Sequence, residues 1–223
     1  LDTEWLSRKK VALLQIATST ACYLIRMNLC YPEDRVPDSS ALSQILRSGK
    51  FVKIGVNVKY DLHLLETQFS IPNPQGFVDL QIMATSMNLD KKGHRGYGLR
   101  ALTCIVLDRD LPKNKEIRCG DWSDLSRREK IEYAARDAIA GYHIPIRLWQ
   151  QQHTSNTTLF EFLSPYINRT TCRSRGVGRK KLISNKRQQK KKKESSFVSI
   201  TGLKYQGCKL LSKDGVHLCN INK

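Results

Sequence analysis

An α/β fold, a mixed β-sheet covered by helices, is the class that this 223-residue sequence predicts. Three observations point there. Two apolar, β-branched runs sit close together near the start, a third such run leads straight into a helical pattern near residue 51, and later stretches are mostly helical. In order, "VALLQIATST" and "ACYLIRMNL" read as adjacent strands behind a shorter first one. "PDSSALSQILRSGK" predicts a helix with Asp38 or Ser39 as N-cap, Leu42, Ile45 and Leu46 on one face, and a stop at Gly49. "FVKIGVN" reads as a buried strand and "VKYDLHLLETQF" as the helix it feeds. Further helices are expected in "VDLQIMATSM", in "GLRALTCIVLD" and from about Ser126, where Ser126 and Glu129 have capping-box spacing.

The net charge of +18 is unevenly distributed. Residues 1–168 carry 22 Lys/Arg against 18 Asp/Glu, whereas residues 169–223 carry 16 against 2. The basic excess therefore belongs to an appendage, and a polyanionic partner is compatible with it. Residues 153–196, with "RKKLISNKRQQKKKKESS", are expected to form a largely disordered basic linker, because like charges with little apolar surface cannot offset chain entropy. Residues 197–223 carry Asp214 and Gly215 between two short apolar segments, a hairpin signal read as the start of an incomplete second module. Seven cysteines fit no disulfide framework; Cys208 and Cys219 lack the short spacing of a zinc site, so a reducing compartment is the expectation. No apolar run approaches the roughly 20 residues of a membrane span. A membrane anchor or targeting peptide is not read in these residues, and with Leu1 in place of a methionine an upstream cut is expected.

Three acidic features invite a chemical reading, each with a plainer alternative. Asp2 and Glu4 are two apart, so in a strand they share a face from which Thr3 turns away. Half-buried there, the two carboxylates would repel and resist ionisation unless hard divalent cations such as Mg²⁺ or Mn²⁺ compensated them. The alternative is an exposed strand end with solvated acids. Asp61 falls just inside the helix that follows Gly55, either favoured by the helix dipole or placed at the end of a sheet strand where α/β proteins put their sites. Tyr133 and Asp137 lie one turn apart on the long helix among small residues, Ala134, Ala135, Ala138 and Ala140. Taken alone, each is more often an ordinary surface feature than a site.

Together the three change the balance. "DTEW" on a first strand, Gly55-Val56 followed by Asp61 and "LHLL", and Tyr133 with Asp137 on a late helix resemble, in this order, the three exonuclease motifs of the DEDDy 3′-to-5′ exonucleases, the RNase D and Werner-type group. "GYGLRAL" and "DWSDLSRREKIEYAARDA" are similar to that family as well, and the resemblance covers residues 1 to about 150. It implies a ribonuclease-H-like fold and makes residues 1–152 a 3′-to-5′ exonuclease domain whose first strand is truncated at its start. It further implies that Asp2, Glu4, Asp61 and Asp137 ligate two divalent cations, Mg²⁺ or Mn²⁺, about 3.5–4 Å apart. In that scheme Asp2 bridges both ions, Glu4 and Asp137 hold one, and Asp61 stands near the other through water. Tyr133 would orient the attacking water as a neutral phenol. The products would be nucleoside 5′-monophosphates released from the 3′ end of DNA or RNA, on single-stranded or 3′-ended substrates.

Trp5, Tyr60 and His63 adjoin the motif acids and are candidates for stacking on terminal bases, a contact worth about 1–3 kcal/mol per base; packing at the core or rim is the equal alternative. Asp79 is read as an N-cap, and Trp122 and Arg136 as weaker candidates for the nucleic-acid backbone. The resemblance also implies mitochondrial or nuclear residence and DNA-repair roles, and leaves a homodimer open. A ribonuclease-H-like scaffold that binds nucleic acid without cutting it competes with catalysis, as does a tail acting as an electrostatic tether or import signal. The complete set of four acids and the tyrosine favours catalysis.

Overall fold

The computed structural model describes residues 1–6, 10–152 and 157–169, and the backbone of two strands, 208–211 and 217–220. The order is β1 (Asp2–Trp5), β2 (Val11–Ala17), β3 (Cys22–Arg26), α1 (Met27–Cys30), α2 (Ala41–Arg47), β4 (Lys53–Gly55) and α3 (Val58–Phe69). There follow β5 (Phe77–Asp79), α4 (Leu80–Ser86), α5 (Leu99–Leu107), α6 (Lys115–Arg118), α7 (Arg128–Gln152) and α8 (Leu159–Leu163), then β6 (Cys208–Leu211) and β7 (His217–Asn220). The expected α/β fold is present, its strands forming a mixed sheet in the order β1-β2-β3-β6-β7 and a separate parallel pair, β4-β5, with helices around them.

β1 runs antiparallel to β2 with Glu4 opposite Leu13 and Thr3 opposite Leu14, and β2 runs antiparallel to β3. β4 and β5 pair in parallel, and the Leu1 amino group donates to the Ile54 carbonyl at 2.6 Å, bringing β1 alongside β4. Five consecutive buried residues open β2, which marks a strand covered on both faces. Leu14 packs with Leu46, Leu62 and Leu65 from α2 and α3, while Leu13 packs with Ala134 and Ala138 from α7. The small residues of α7 thus do what their size allows and bring that helix close to the sheet. A third cluster joins Met83 of α4, Leu102 and Val106 of α5, and Ile144 and Leu148 of α7.

Several boundaries differ from the sequence expectation for identifiable reasons. Ser40, not Asp38 or Ser39, caps α2: its hydroxyl accepts the Ser43 N–H at 3.1 Å, while Asp38 reaches Arg47 at 3.4 Å. Ser126 and Glu129 form no capping box. The Ser126 hydroxyl donates to Asp124 Oδ2 at 2.8 Å, and α7 starts at Arg128. "VDL" opens as a short strand, β5, before α4 begins, and Asp79 caps that helix by accepting from Gln81 N at 2.8 Å. Trp122 faces no solvent: it is 1 % exposed in the α7 core cluster and donates to the Arg118 carbonyl. Arg136 lies along α7, paired with Glu132 at 2.9 Å.

The linker boundary also moves. Residues 157–169, expected within the basic linker, are folded: Thr158 and Glu161 make a capping box at α8, and Phe162 and Leu163 are buried with Leu148 of α7. The Asn168 N–H donates to the Phe77 carbonyl at 2.7 Å and its side chain accepts the Phe77 N–H at 3.2 Å, tying this segment to β5. The remainder of the expected linker lies outside the described residues. β6 and β7 form the antiparallel pair that the Asp214-Gly215 signal predicts, although those two residues are themselves outside the described set. The pair attaches in parallel to β3, Cys22 opposite Cys208, and so extends the sheet of the first domain. Among the described residues no helix is long and apolar enough to cross a membrane.

Candidate active site

A cleft of about 460 Å³ opens beside β1, lined by Asp2, Thr3, Glu4, Trp5, Val56, Asn57, Tyr60, Asp61, Lys113, Arg118, Cys119, Tyr133 and Asp137. Three chain segments meet there because β4 is short. It ends at Gly55, where a Cβ would stand 2.4 Å from the Leu1 carbonyl oxygen, so only glycine lets β1 pass this closely. Asn57 then turns the chain in the left-handed conformation, φ 57°, and α3 starts with Asp61 in its first turn.

The two faces of β1 feed the cleft differently. Glu4 shares the face of its partner Leu13, toward α7, and Thr3 that of Leu14, toward α3. Oxygens of Asp2, Glu4 and Asp137 all lie within 4.8 Å of one another. Asp61 arrives from the opposite side, its Oδ1 accepting a hydrogen bond from the Thr3 hydroxyl. Thr3 therefore turns away from the Asp2–Glu4 cluster, as its place in the strand requires, yet still touches the fourth acid.

The electrostatics are those of an acidic site that Lys113 compensates only in part. Desolvation, with Asp2 and Asp137 nearby, pushes Glu4 up to about 9. Desolvation and the Asp2 charge take Asp61 up to about 7. Asp137, 4 % exposed, is raised by desolvation to about 6, with the Lys113 ammonium opposing a larger rise. Burial lifts Asp2 as well, and burial together with Asp137 pushes the Tyr133 phenol well above its ordinary value. Lys113 donates to Asp137 Oδ2, while the buried Asp137 Oδ1 accepts no hydrogen bond among the described residues. An orphaned buried carboxylate oxygen beside two further carboxylates fits a hard divalent cation.

Of the candidate base contacts, Trp5 and Tyr60 line the cleft as a T-shaped pair with ring centres 5.6 Å apart. His63 is outside it, exposed on α3 and 3.8 Å from Glu66. Two helical steps rotate it about 200° from Asp61, which removes it from the acid's face. Lys113 escaped the sequence reading. It sits in an aperiodic loop, and its only neighbouring signal is Asn114, which caps α6 by accepting from Glu116 N at 2.8 Å.

Four acids and a buried tyrosine thus line one cleft beside β1, a donor set that fits divalent cations. The comparisons with known proteins give the family. The 3′-5′ exonuclease family model matches residues 1–152, and the chain belongs to that family. It is 31 % identical over 151 residues to the mouse bifunctional 3′-5′ exonuclease/ATP-dependent helicase WRN, covering 63 % of this chain and 10 % of that protein. An Arabidopsis thaliana 3′-5′ exonuclease is 28 % identical over 152 residues, covering 65 % and 50 %. The chain thus spans half or less of the length of these curated relatives. Among solved structures, Brucella melitensis NrnC bound to pGG shares the fold: 21 % identity, 67 % of this chain and 70 % of that one, TM-score 0.51. The EXD2 exonuclease domain soaked in Mn and Mg is 25 % identical over 70 % of this chain and 84 % of that one, with a TM-score of 0.35.

Proposed function

We propose that this chain is a divalent-metal-dependent exonuclease that hydrolyses the 3′-terminal phosphodiester bond of DNA or RNA and releases nucleoside 5′-monophosphates. The convergence of Asp2, Glu4 and Asp137 oxygens within 4.8 Å, in a cleft that Asp61 and Tyr133 also line, is the observation that carries this reading. Family membership supports the reaction class. Asp2, Glu4 and Asp137 would hold one Mg²⁺ or Mn²⁺, and Asp61 with Asp2 a second. Bound there, such ions supply charge stabilisation to the scissile phosphate and its leaving oxygen and a more acidic attacking water.

The protein's own groups do the rest. Tyr133, held as a phenol by burial and by the Asp137 charge, orients the water through its hydroxyl without ionising. Lys113, already at the cleft, offers a cation to a substrate phosphate once Asp137 is otherwise engaged. Trp5 and Tyr60 present ring edges and faces to the terminal base. Residues 1–169 form the catalytic unit, and the basic segment beyond them is an electrostatic aid to nucleic-acid binding.

The test is an oligonucleotide labelled at its 5′ end, incubated with Mn²⁺, Mg²⁺ or EDTA and resolved as a ladder. Shortening from the 3′ end with either ion, absent with EDTA and absent in the Asp2→Ala/Glu4→Ala double variant, is expected. A double variant that cuts at the parental rate refutes the site. Wild-type chain that binds the oligonucleotide but never cuts it supports the non-catalytic scaffold instead.

A further inference from the structure

We propose that Thr3 couples the base-contacting side of the cleft to its metal-binding side, so that a nucleobase on Trp5 and a divalent cation at Asp61 strengthen each other's binding. The proposal rests on Asp61 serving as a metal ligand, as argued above. The Trp5 indole Nε1 donates to Thr3 Oγ1 at 2.7 Å, and Thr3 Oγ1 donates to Asp61 Oδ1. The direction of this chain follows from chemistry. Indole N–H can only donate and the carboxylate of a cation-bound Asp61 can only accept, so the single hydroxyl hydrogen is committed to Asp61.

Each member of the chain stands where coupling requires. Trp5 is 37 % exposed, at the cleft and edge-on to Tyr60, the residue before Asp61 in the sequence. Thr3 is buried, and its β-branched side chain has few rotamers, so it transmits a displacement instead of absorbing it. Asp61 lines the cleft with its Oδ1 held by that hydroxyl. A base resting on the indole immobilises Nε1, and hydrogen bonds in series reinforce one another where water is excluded. Linkage makes the effect reciprocal: whatever the base does for the cation, the cation does for the base. Thr3 is thereby a positioning residue, touching neither cation nor base itself.

The experiment is a calorimetric Mn²⁺ titration of the full chain, alone, with saturating deoxyguanosine 5′-monophosphate, and with deoxyribose 5-phosphate, which lacks a base. Association of Mn²⁺ with each phosphate in buffer is subtracted. In the wild type the nucleotide should tighten Mn²⁺ about five-fold or more beyond the sugar phosphate, the lower end of ordinary coupling. Thr3→Val, isosteric without the hydroxyl, and Trp5→Phe, a ring without the N–H, should both reduce the nucleotide's effect to that of the sugar phosphate. Thr3→Ser should retain it. Full coupling in Thr3→Val, or in Trp5→Phe should Thr3→Val not fold, overturns the relay, as does a wild type in which nucleotide and sugar phosphate act alike. A wild type that takes up no Mn²⁺ overturns the metal-site reading itself, a separate failure.

Discussion

Lys113 sets its ammonium on Oδ2 of Asp137 and 5.0 Å from the centre of the Tyr133 ring, joining an aperiodic loop to the last acid of the cleft. The pair is largely withdrawn from water, so its loss is felt according to whether Asp137 is ionised. In EDTA, Lys113→Met should lower the thermal midpoint little at pH 5, where Asp137 is protonated in both proteins, and markedly at pH 8. Mn²⁺ should close most of that gap. An equal loss at both pH values would show that Lys113 contributes only packing.

The raised carboxyls predict how stability varies with pH. Glu4 near 9 and Asp61 near 7 stand above their unfolded values near 4.5 and 3.8, so the folded state binds more protons than the unfolded one in between. Stability is therefore full below about pH 4 as far as these groups are concerned and falls as pH rises toward 9. Chemical denaturation in EDTA should show that decline from pH 5 to 9, and Mn²⁺ should flatten it while releasing protons on binding. A metal-free chain growing more stable over this range would contradict the assignment of these groups.

Tyr133→Phe keeps the ring that packs at 6.0 Å on Trp122 and removes only the hydroxyl. Thermal stability should be close to parental, while kcat falls on the order of 10²-fold, the scale of a misplaced attacking group. Oligonucleotide KM should change little. Since the phenol is pushed above its normal range, the pH–rate profile of the parent should contain no rise attributable to its ionisation.

Gly55→Ala tests the geometry that opens the cleft. The added methyl meets the Leu1 carbonyl oxygen at 2.4 Å, backbone that cannot step aside without moving β1. A loss of about 1–3 kcal/mol is expected from the overpacking. Cleavage should fall further than stability does, because the displaced strand carries Asp2 and Glu4. Parental cleavage in this variant would show that β1 tolerates the shift.

Much of this protein could be read from its residues because the signals are local. β2 is a continuous apolar run and α3 an apolar helical pattern, the run read as β3 is a strand up to Arg26 and turns helical at Met27, and the Asp79 cap needs only its own backbone two residues on. Local signals also misled where two partners competed. Ser126 has the spacing of a capping residue, yet Asp124 offered its hydroxyl a charged acceptor, and the box with Glu129 was never closed. The segment at 157–169 followed basic-linker expectations, yet Phe162 and Leu163 are buried in an apolar surface that α4, α5 and α7 build together.

By itself the sequence singled out the candidate residues that line the cleft, acids at 2, 4, 61 and 137 and a tyrosine at 133, recognisable as ordered motifs because each is held by a neighbouring strand or helix pattern. Tertiary structure decided which others join them. Lys113 reaches Asp137, Thr3 turns to Asp61, and His63 swings away, because the approach of β1 to Gly55 and of α7 to the sheet sets directions in space that spacing along one chain segment does not encode.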